Sequence, residues 1–331
     1  MPGTLSVESS VELASVDRGG FVESRHAGAA VVLSPDGEVA LALGDVDAPV
    51  LPRSAMKPFQ AVACATAGAT FDGPALAVST ASHSGTDRHA QLVRGMLQDV
   101  GLTEDYLRCP TAYPDDAQTR SEQLRDNAPA SRIRMTCSGK HAAMLAACAA
   151  NGWDKETYLS PSHPLQQHIR ETVERLTGGA RIEATVTDGC GAPVHALPLS
   201  ALARGMQRIG TSSETSPFAL HRIAGGLMRA TREHPWAVEG PGRPDTAAIE
   251  RFGVFSKFGA DGVQVMVAPD GTTVAVKVLD GSRRATSAVA LKLLAKAGAL
   301  PVESVADFLA VHPQFAILGG GQEVGRVRPV V

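Results

Sequence analysis

Ala29-Ala30-Val31-Val32-Leu33-Ser34-Pro35-Asp36-Gly37-Glu38-Val39-Ala40-Leu41-Ala42-Leu43 is two apolar runs around a turn. Pro35, Asp36 and Gly37 each favour a tight reversal: proline presets φ, aspartate bonds its own backbone, glycine tolerates positive φ. Residues 29–33 and 39–43 are therefore predicted to pair as an antiparallel hairpin, entered through the polar run Glu23–His26. The same design returns near the other end of the chain. There Val263–Val267 and Thr273–Leu279 flank Ala268-Pro269-Asp270-Gly271-Thr272. A lone hairpin is marginal in water, so the two ribbons are predicted to join one antiparallel sheet. Over Arg284–Ala297, Ala288, Leu291, Leu294 and Ala295 recur at helical spacing and Gly298 supplies a stop. That helix would cover the sheet.

Between the hairpins the pattern is mostly helical. Pro58–Ala67, His141–Ala150, Pro164–Leu176, Val194–Ala203 and Pro217–Arg232 carry helix-like spacing, while Ala75–Val78 and Ile182–Val186 read as short strands. Cys109–Asp116 and His234–Asp245 are Pro/Gly-rich loops. The expected fold class is α/β: an antiparallel sheet built from N- and C-terminal hairpins and flanked by helices, plus an α-helical lobe. The expected organisation is one two-lobed catalytic unit, with approximately 15–60 and 245–331 in the sheet lobe and 61–244 in the helical lobe. A cleft between lobes is the natural place for a site.

Composition narrows the function classes. The 331 residues carry a net charge of −3, with no basic block and no basic-aromatic stripe, so nucleic acid is not an expected partner. No apolar run approaches the ~18 residues of a membrane span. Met1 to Asp17 lacks a basic, apolar signal pattern, which together with five cysteines (Cys64, Cys109, Cys137, Cys148, Cys190) argues for a reducing, cytoplasmic setting.

Five clusters carry possible chemistry. Arg53-Ser54-Ala55-Met56-Lys57-Pro58-Phe59-Gln60 holds the only Ser-x-x-Lys. If a helix starts near Ser54, this spacing places hydroxyl and amine on one face. A desolvated lysine loses proton affinity and can then deprotonate the serine. A solvated lysine at a polar helix start is the plainer alternative. Ser79-Thr80-Ala81-Ser82-His83-Ser84-Gly85 gathers hydroxyls and an imidazole in one turn, or is simply a loop. Thr136-Cys137-Ser138-Gly139-Lys140-His141 opens an apolar helix whose N–H groups could face an anion; Cys137 could equally be core. Asp188-Gly189-Cys190-Gly191 follows a strand-like run, as a strand-to-helix turn or as part of a site. Cys137 and Cys190 with Lys140, His141 or Asp188 could hold a soft divalent ion such as zinc, although no zinc-finger spacing is matched. Last, Phe255-Ser256-Lys257-Phe258-Gly259 places a lysine beside a strand. Its Lys-x-Gly is similar to the Lys-Thr-Gly element that faces the Ser-x-x-Lys serine in penicillin-binding proteins and β-lactamases.

Taken together, "RGGFVESRHAG", "RSAMKPFQ", "ASHSG", "CSGKHAAML", "DGCGAP", "HPWAVEGPGRPDT" and "FSKFGADGV" resemble the Rhizobium etli-type (class 3, asparaginase II) L-asparaginases over nearly the whole chain. The resemblance implies a serine β-lactamase/glutaminase-like fold and hydrolysis of L-asparagine to L-aspartate and ammonia in a homodimer. It implies two Ser-Lys tandems, Ser54 with Lys57 and Ser82 with Lys257, and a zinc ion held by Cys137, Lys140 and Cys190. Arg53, His141 and Asp188 become supporting polar residues, with His83 and Ser84 as further candidates for substrate contact. Ser84 also competes with Ser82 for the second tandem. Two other classes stay open: a zinc amidohydrolase using metal-bound hydroxide, and a penicillin-binding-like protein without turnover.

Overall fold

The computed structural model describes residues 3–331. Its strands, in chain order, are β1 (Val11–Arg18), β2 (Phe21–Leu33), β3 (Val39–Leu43), β4 (Pro49–Val50), β5 (Ala184–Thr187), β6 (Pro193–Pro198), β7 (Phe255–Gly259), β8 (Val263–Val267), β9 (Thr273–Val278), β10 (Ala316–Gly319) and β11 (Gln322–Pro329). The helices are α1 (Lys57–Thr66), α2 (Gly73–Val78), α3 (Asp87–Gln98), α4 (Ala117–Arg125), α5 (Ser138–Asn151), α6 (Pro164–Thr177), α7 (Leu199–Gly210), α8 (Ala219–Glu233), α9 (Pro244–Phe252), α10 (Thr286–Lys296) and α11 (Val302–Val311).

Both hairpins form, and they meet. β2 pairs with β3, β8 with β9, and β2 with β9 through Gly28↔Val278 to Leu33↔Thr273. The main antiparallel sheet runs β10-β11-β1-β2-β9-β8-β7, with β3 also on β2. Its central strands, β8, β9 and the second half of β2, are buried throughout because both faces are covered. Val31, Leu33, Val265 and Ala275 face a core shared with α1, α7 and α8. Ala30, Val32, Val274 and Val276 point the other way, against α10 and Val305 of α11. A third core surrounds α5, where Ala142 to Cys148 are all buried among α2, α3 and α6.

Three expectations change. Ala75–Val78 is helical, because Asp72 and Pro74 start a helix there: proline at the first turn loses no hydrogen bond and presets φ. Val194–Leu197 lies in β6, since Pro198 disfavours helix for the residue before it; the helix begins only at Leu199. Asp188–Ala192 is consequently a hairpin turn between β5 and β6, not a strand-to-helix turn, and β4-β6-β5 form a second small sheet. No helix among the described residues is long and apolar enough to cross a membrane.

Candidate active site

Ser54 sits in a 3-10 turn, Arg53–Met56, that leads directly into α1. Arg53 enters it with φ of 52°, a conformation that costs a non-glycine residue free energy and persists only when its surroundings hold it. Two carboxylates do so: Nε donates to Asp188 at 2.6 Å and Nη1 to Asp261. Ser54 is half-buried, and its hydroxyl makes no hydrogen bond among the described residues. Lys57, the first residue of α1, is completely buried. Its amine donates to the Ala81 carbonyl at 2.5 Å and to Ser82 Oγ at 2.9 Å. Burial lowers its proton affinity, while the neighbouring Cys137 and Cys190 sulfurs pull the other way.

Ser82 is the meeting point. Lys257 Nζ donates to the same Oγ at 3.0 Å and to the Phe258 carbonyl at 2.9 Å. The loop carrying Ser82 is tied on two sides: Ser82 and Ser84 N–H donate to the Val238 and Glu239 carbonyls, and His83 N–H to Thr136. Ser84 Oγ instead turns toward Gly240, buried and without a partner among the described residues. His83 is also turned inward. Its Nδ1 accepts from Gly85 N–H, and its Nε2 lies 2.8 Å from Ser138 Oγ.

Lys257 reaches Ser82 because β7 packs tightly on the Ser54 turn. A β-carbon at Gly259 would collide with the Pro52 carbonyl oxygen, so only glycine permits this approach. Gly139 does the same for α5, where a β-carbon would lie 2.4 Å from the Val78 carbonyl oxygen. The Lys257 amine is fully buried and its proton affinity is lowered to about 7. Burial is the main cause, with Lys57 adding to it and Asp245 opposing it. Asp245 Oδ2 stands 3.9 Å away. Sequence reasoning missed Asp245 and Glu239, although both lie in the quoted segment "HPWAVEGPGRPDT". The signal available was an acidic pair in a loop and helix start otherwise rich in proline and glycine.

The remaining residues form an adjoining cluster. Cys137 is the N-cap of α5, which begins at Ser138 rather than His141, so Lys140 and His141 lie in its first turn. Lys140 Nζ donates to Cys190 Sγ at 3.0 Å, and Asp188 Oδ2 is 4.0 Å from the same sulfur. The Cys137 side chain and Lys140 hold the Cys190 thiol down at about 4 against burial, whereas Cys190 beside it and burial raise Cys137 to about 11. Burial pushes Lys140 down, but the two sulfurs outweigh it and raise its proton affinity. Burial likewise raises the Asp188 carboxyl, and Lys140 with Arg53 reverses that. His141 Nδ1 meets Tyr158 Oη at 2.7 Å; its buried Nε2 has no partner among the described residues. Burial and Lys140 hold that ring neutral, at about 3. Among the described residues no three His, Cys, Asp or Glu side chains converge as a metal cluster; here the third donor is a lysine.

The arrangement offers nucleophilic hydroxyls, two buried amines able to carry protons, and a soft donor set beside them. No curated protein matches the chain at a significant level. Solved structures similar to it include a β-lactamase from Mycobacterium bovis, at 15% identity and a TM-score of 0.43, covering 81% of this chain and 94% of that one. Another is a probable glutaminase from Bacillus subtilis complexed with 6-diazo-5-oxo-L-norleucine, at 12% identity and a TM-score of 0.33, covering 82% of each chain. The family model for L-asparaginase II matches residues 14–329. That span takes in nearly all of the sheet core and every residue of the site, and the chain belongs to the L-asparaginase II family.

Proposed function

We propose that the protein hydrolyses the side-chain amide of L-asparagine to L-aspartate and ammonia by Ser-Lys catalysis. The observation that carries this reading is a serine hydroxyl, Ser82 Oγ, shared by two fully buried lysine amines, one of which, Lys57, opens α1 directly after the half-buried Ser54 turn. Buried side by side, the two amines disfavour each other's charge, so at least one is available as a base. A neutral Lys57 spends its two N–H groups on Ala81 and Ser82, and its lone pair is the direction left for the Ser54 proton. Ser54 Oγ then attacks the amide carbon, forming a C–O bond. Collapse breaks the C–N bond, and the proton taken from Ser54 leaves with ammonia by way of Ser82 and Lys257. Water cleaves the resulting β-aspartyl ester by the reverse route and restores the Ser54 hydroxyl.

A second reading makes Ser82 the acylated residue. It is favoured by one observation: both amines touch Ser82 and neither hydrogen-bonds Ser54. Ser54 is preferred because it is the more accessible of the two, while Ser82 is 6% exposed.

Cys137, Lys140 and Cys190 fit a zinc ion: two sulfurs and an amine converge in a buried cluster of a type that suits a soft divalent metal. Such an ion, when bound, would supply an electrophilic contact for the substrate's polar groups. Lys140 can ligate only after giving up a proton. Arg53 and the unpartnered His141 Nε2 are the groups of this chain suited to hold the substrate's carboxylate and amide. The reading includes a homodimer and a cytoplasmic setting, both implied by the resemblance. Ammonia release from L-asparagine, compared with L-glutamine, by the purified protein and its Ser54→Ala variant is the test. Release by the parent protein and none by the variant supports the reading; no release from either amide, or undiminished release by the variant, overturns it.

A further inference from the structure

Lys257 lies on an edge strand, and besides the Gly259 contact with the Ser54 turn something outside the sheet must fix the strand beside the lysine. One carboxylate does it. Asp245 Oδ2 accepts from the Phe258 backbone N–H at 2.8 Å, and Oδ1 accepts from Ser256 Oγ at 2.7 Å and Gln264 Nε2 at 3.0 Å. The residues on either side of Lys257 are thus fastened to one acceptor group. We propose that Asp245 is the positioning residue for Lys257, clamping the strand on both sides of the lysine and presenting a carboxylate 3.9 Å from its amine, so that the amine is aimed at Ser82 and its charge is set from that side. This rests on the role given to Lys257 above.

The clamp closes a circuit back to Ser82. The Asp245 backbone N–H donates to Glu239 Oε2 at 2.8 Å, and Arg283 Nη2 holds Glu239 Oε1 at 2.8 Å. The carbonyls of Val238 and Glu239 in turn accept from Ser82 and Ser84 N–H, at 3.0 and 2.7 Å. Both partners of the Lys257–Ser82 hydrogen bond are therefore hung from one short segment, 238–245. Asp245 is completely buried, and the three hydrogen bonds it accepts offset part of the cost of burying a carboxylate there. An amide could satisfy some of these donors, but it has no charge to offer the lysine.

The charged groups facing Lys257 are few. Two carboxyl groups face it, Asp245 at the start of α9 and Glu239 before it, the latter raised by burial and by Asp245; Arg283 ahead of α10 is a fixed cation and Lys57 of α1 a second amine. The Phe258 ring lies against both Lys257 and Arg283, with Lys257 Nζ 4.0 Å and Arg283 Cζ 3.6 Å from its centroid. Removing the Asp245 charge leaves Arg283 and the second amine opposed only by the more distant, arginine-paired Glu239. The ammonium form of Lys257 must then become less favourable.

The test is the titration of the Lys257 ε-carbon by NMR in the full-length protein, with the resonance assigned through Lys257→Met; only seven lysines are present. The same samples give the pH profile of amide hydrolysis. In Asp245→Asn the titration midpoint and the acidic limb of kcat/KM are expected to move to lower pH by half a unit or more. A drop in kcat of tenfold or more, with KM within about threefold, should accompany this. Ser256→Ala keeps the fold's charge set but removes a donor from the carboxylate, strengthening its hold on the ammonium, so its midpoint should move to higher pH. Asp245→Glu should restore the midpoint but not kcat. Should Asp245→Asn fail to fold, the Ser256→Ala shift decides by itself. Midpoints that match the parent protein in the folded variants overturn the proposal, even if stability falls. A shifted midpoint in a protein that hydrolyses no amide would preserve the clamp and overturn the function instead.

Discussion

Replacing Lys257 by methionine should separate activity from stability, in opposite directions. The side chains have similar length, and the site is completely buried, so the variant keeps the packing and removes the amine. Ser82 keeps its hydrogen bond from Lys57, and Asp245 keeps three donors. Loss of a proton-transferring group costs about 10²–10⁴ in turnover. Stability behaves differently. In the unfolded chain Lys257 recovers the ordinary lysine value, whereas in the native state it is held near 7. Between those two values the unfolded chain binds more protons, so native stability rises with pH. Below about pH 7 both states are protonated, and the native protein carries the full cost of a buried ammonium, which across this window amounts to roughly 4–5 kcal/mol. The methionine variant lacks that cost. It should be more stable than the parent below about pH 7, with an advantage that shrinks as the pH rises toward the ordinary lysine range. In the parent, kcat/KM should climb as Lys257 deprotonates, falling about a hundredfold two pH units below its midpoint. Urea unfolding at several pH values, with ammonia release over the same range, measures both. A variant that keeps more than a tenth of parent activity, or whose stability difference does not change with pH, refutes the reasoning.

Three further outcomes follow from the same geometry. Lys57→Arg should abolish turnover in a folded protein, because guanidinium stays charged at any working pH; near-parental ammonia release would exclude Lys57 as the base. Gly259→Ala drives a methyl into the Pro52 carbonyl oxygen and should cost about 1–3 kcal/mol in unfolding measurements, with at least a hundredfold loss of kcat. An unstrained, active Gly259→Ala protein would mean that β7 does not need its close approach to the Ser54 turn. Cys190→Ala, or chelation, should raise KM more than it lowers kcat, as when uniform binding is lost; full loss of turnover with unchanged substrate affinity would make the metal the catalyst.

Much of the fold was legible because its sheet is local at both ends. Ser34–Glu38 and Ala268–Thr272 carry turn chemistry that needs no tertiary information, and a marginal hairpin has to find a partner. β1, β10 and β11 were not legible. Val11–Arg18 alternates weakly, and its partner β11, with β10 beyond it, comes from the far end of the chain. Ala75–Val78 reads as a strand and Val194–Leu197 as helix when Pro74 and Pro198, each of which dictates where a helix begins, are left out of account. Within the site, Ser54, Lys57, Cys137, Lys140, Cys190 and Lys257 stood out by residue type and spacing. What spacing does not reveal is that the Lys57 amine hydrogen-bonds Ser82, one loop away, rather than the serine three residues before it. That choice depends on the Ala81 carbonyl and on burial, which are tertiary. Asp245 escaped notice for a related reason: an aspartate after Arg-Pro reads as a solvated helix start until the strand it holds is seen.

The most direct test of the Ser-Lys reading is rapid-quench mass spectrometry of the protein mixed with L-asparagine, digested and searched for a β-aspartyl ester. The account predicts the added mass on the peptide containing Ser54, lost on longer incubation and missing from Ser54→Ala. Added mass on the Ser82 peptide would make Ser82 the nucleophile and Ser54 its accessory. Steady ammonia release with no ester on either peptide, under conditions where ester breakdown is slowed, would contradict covalent catalysis.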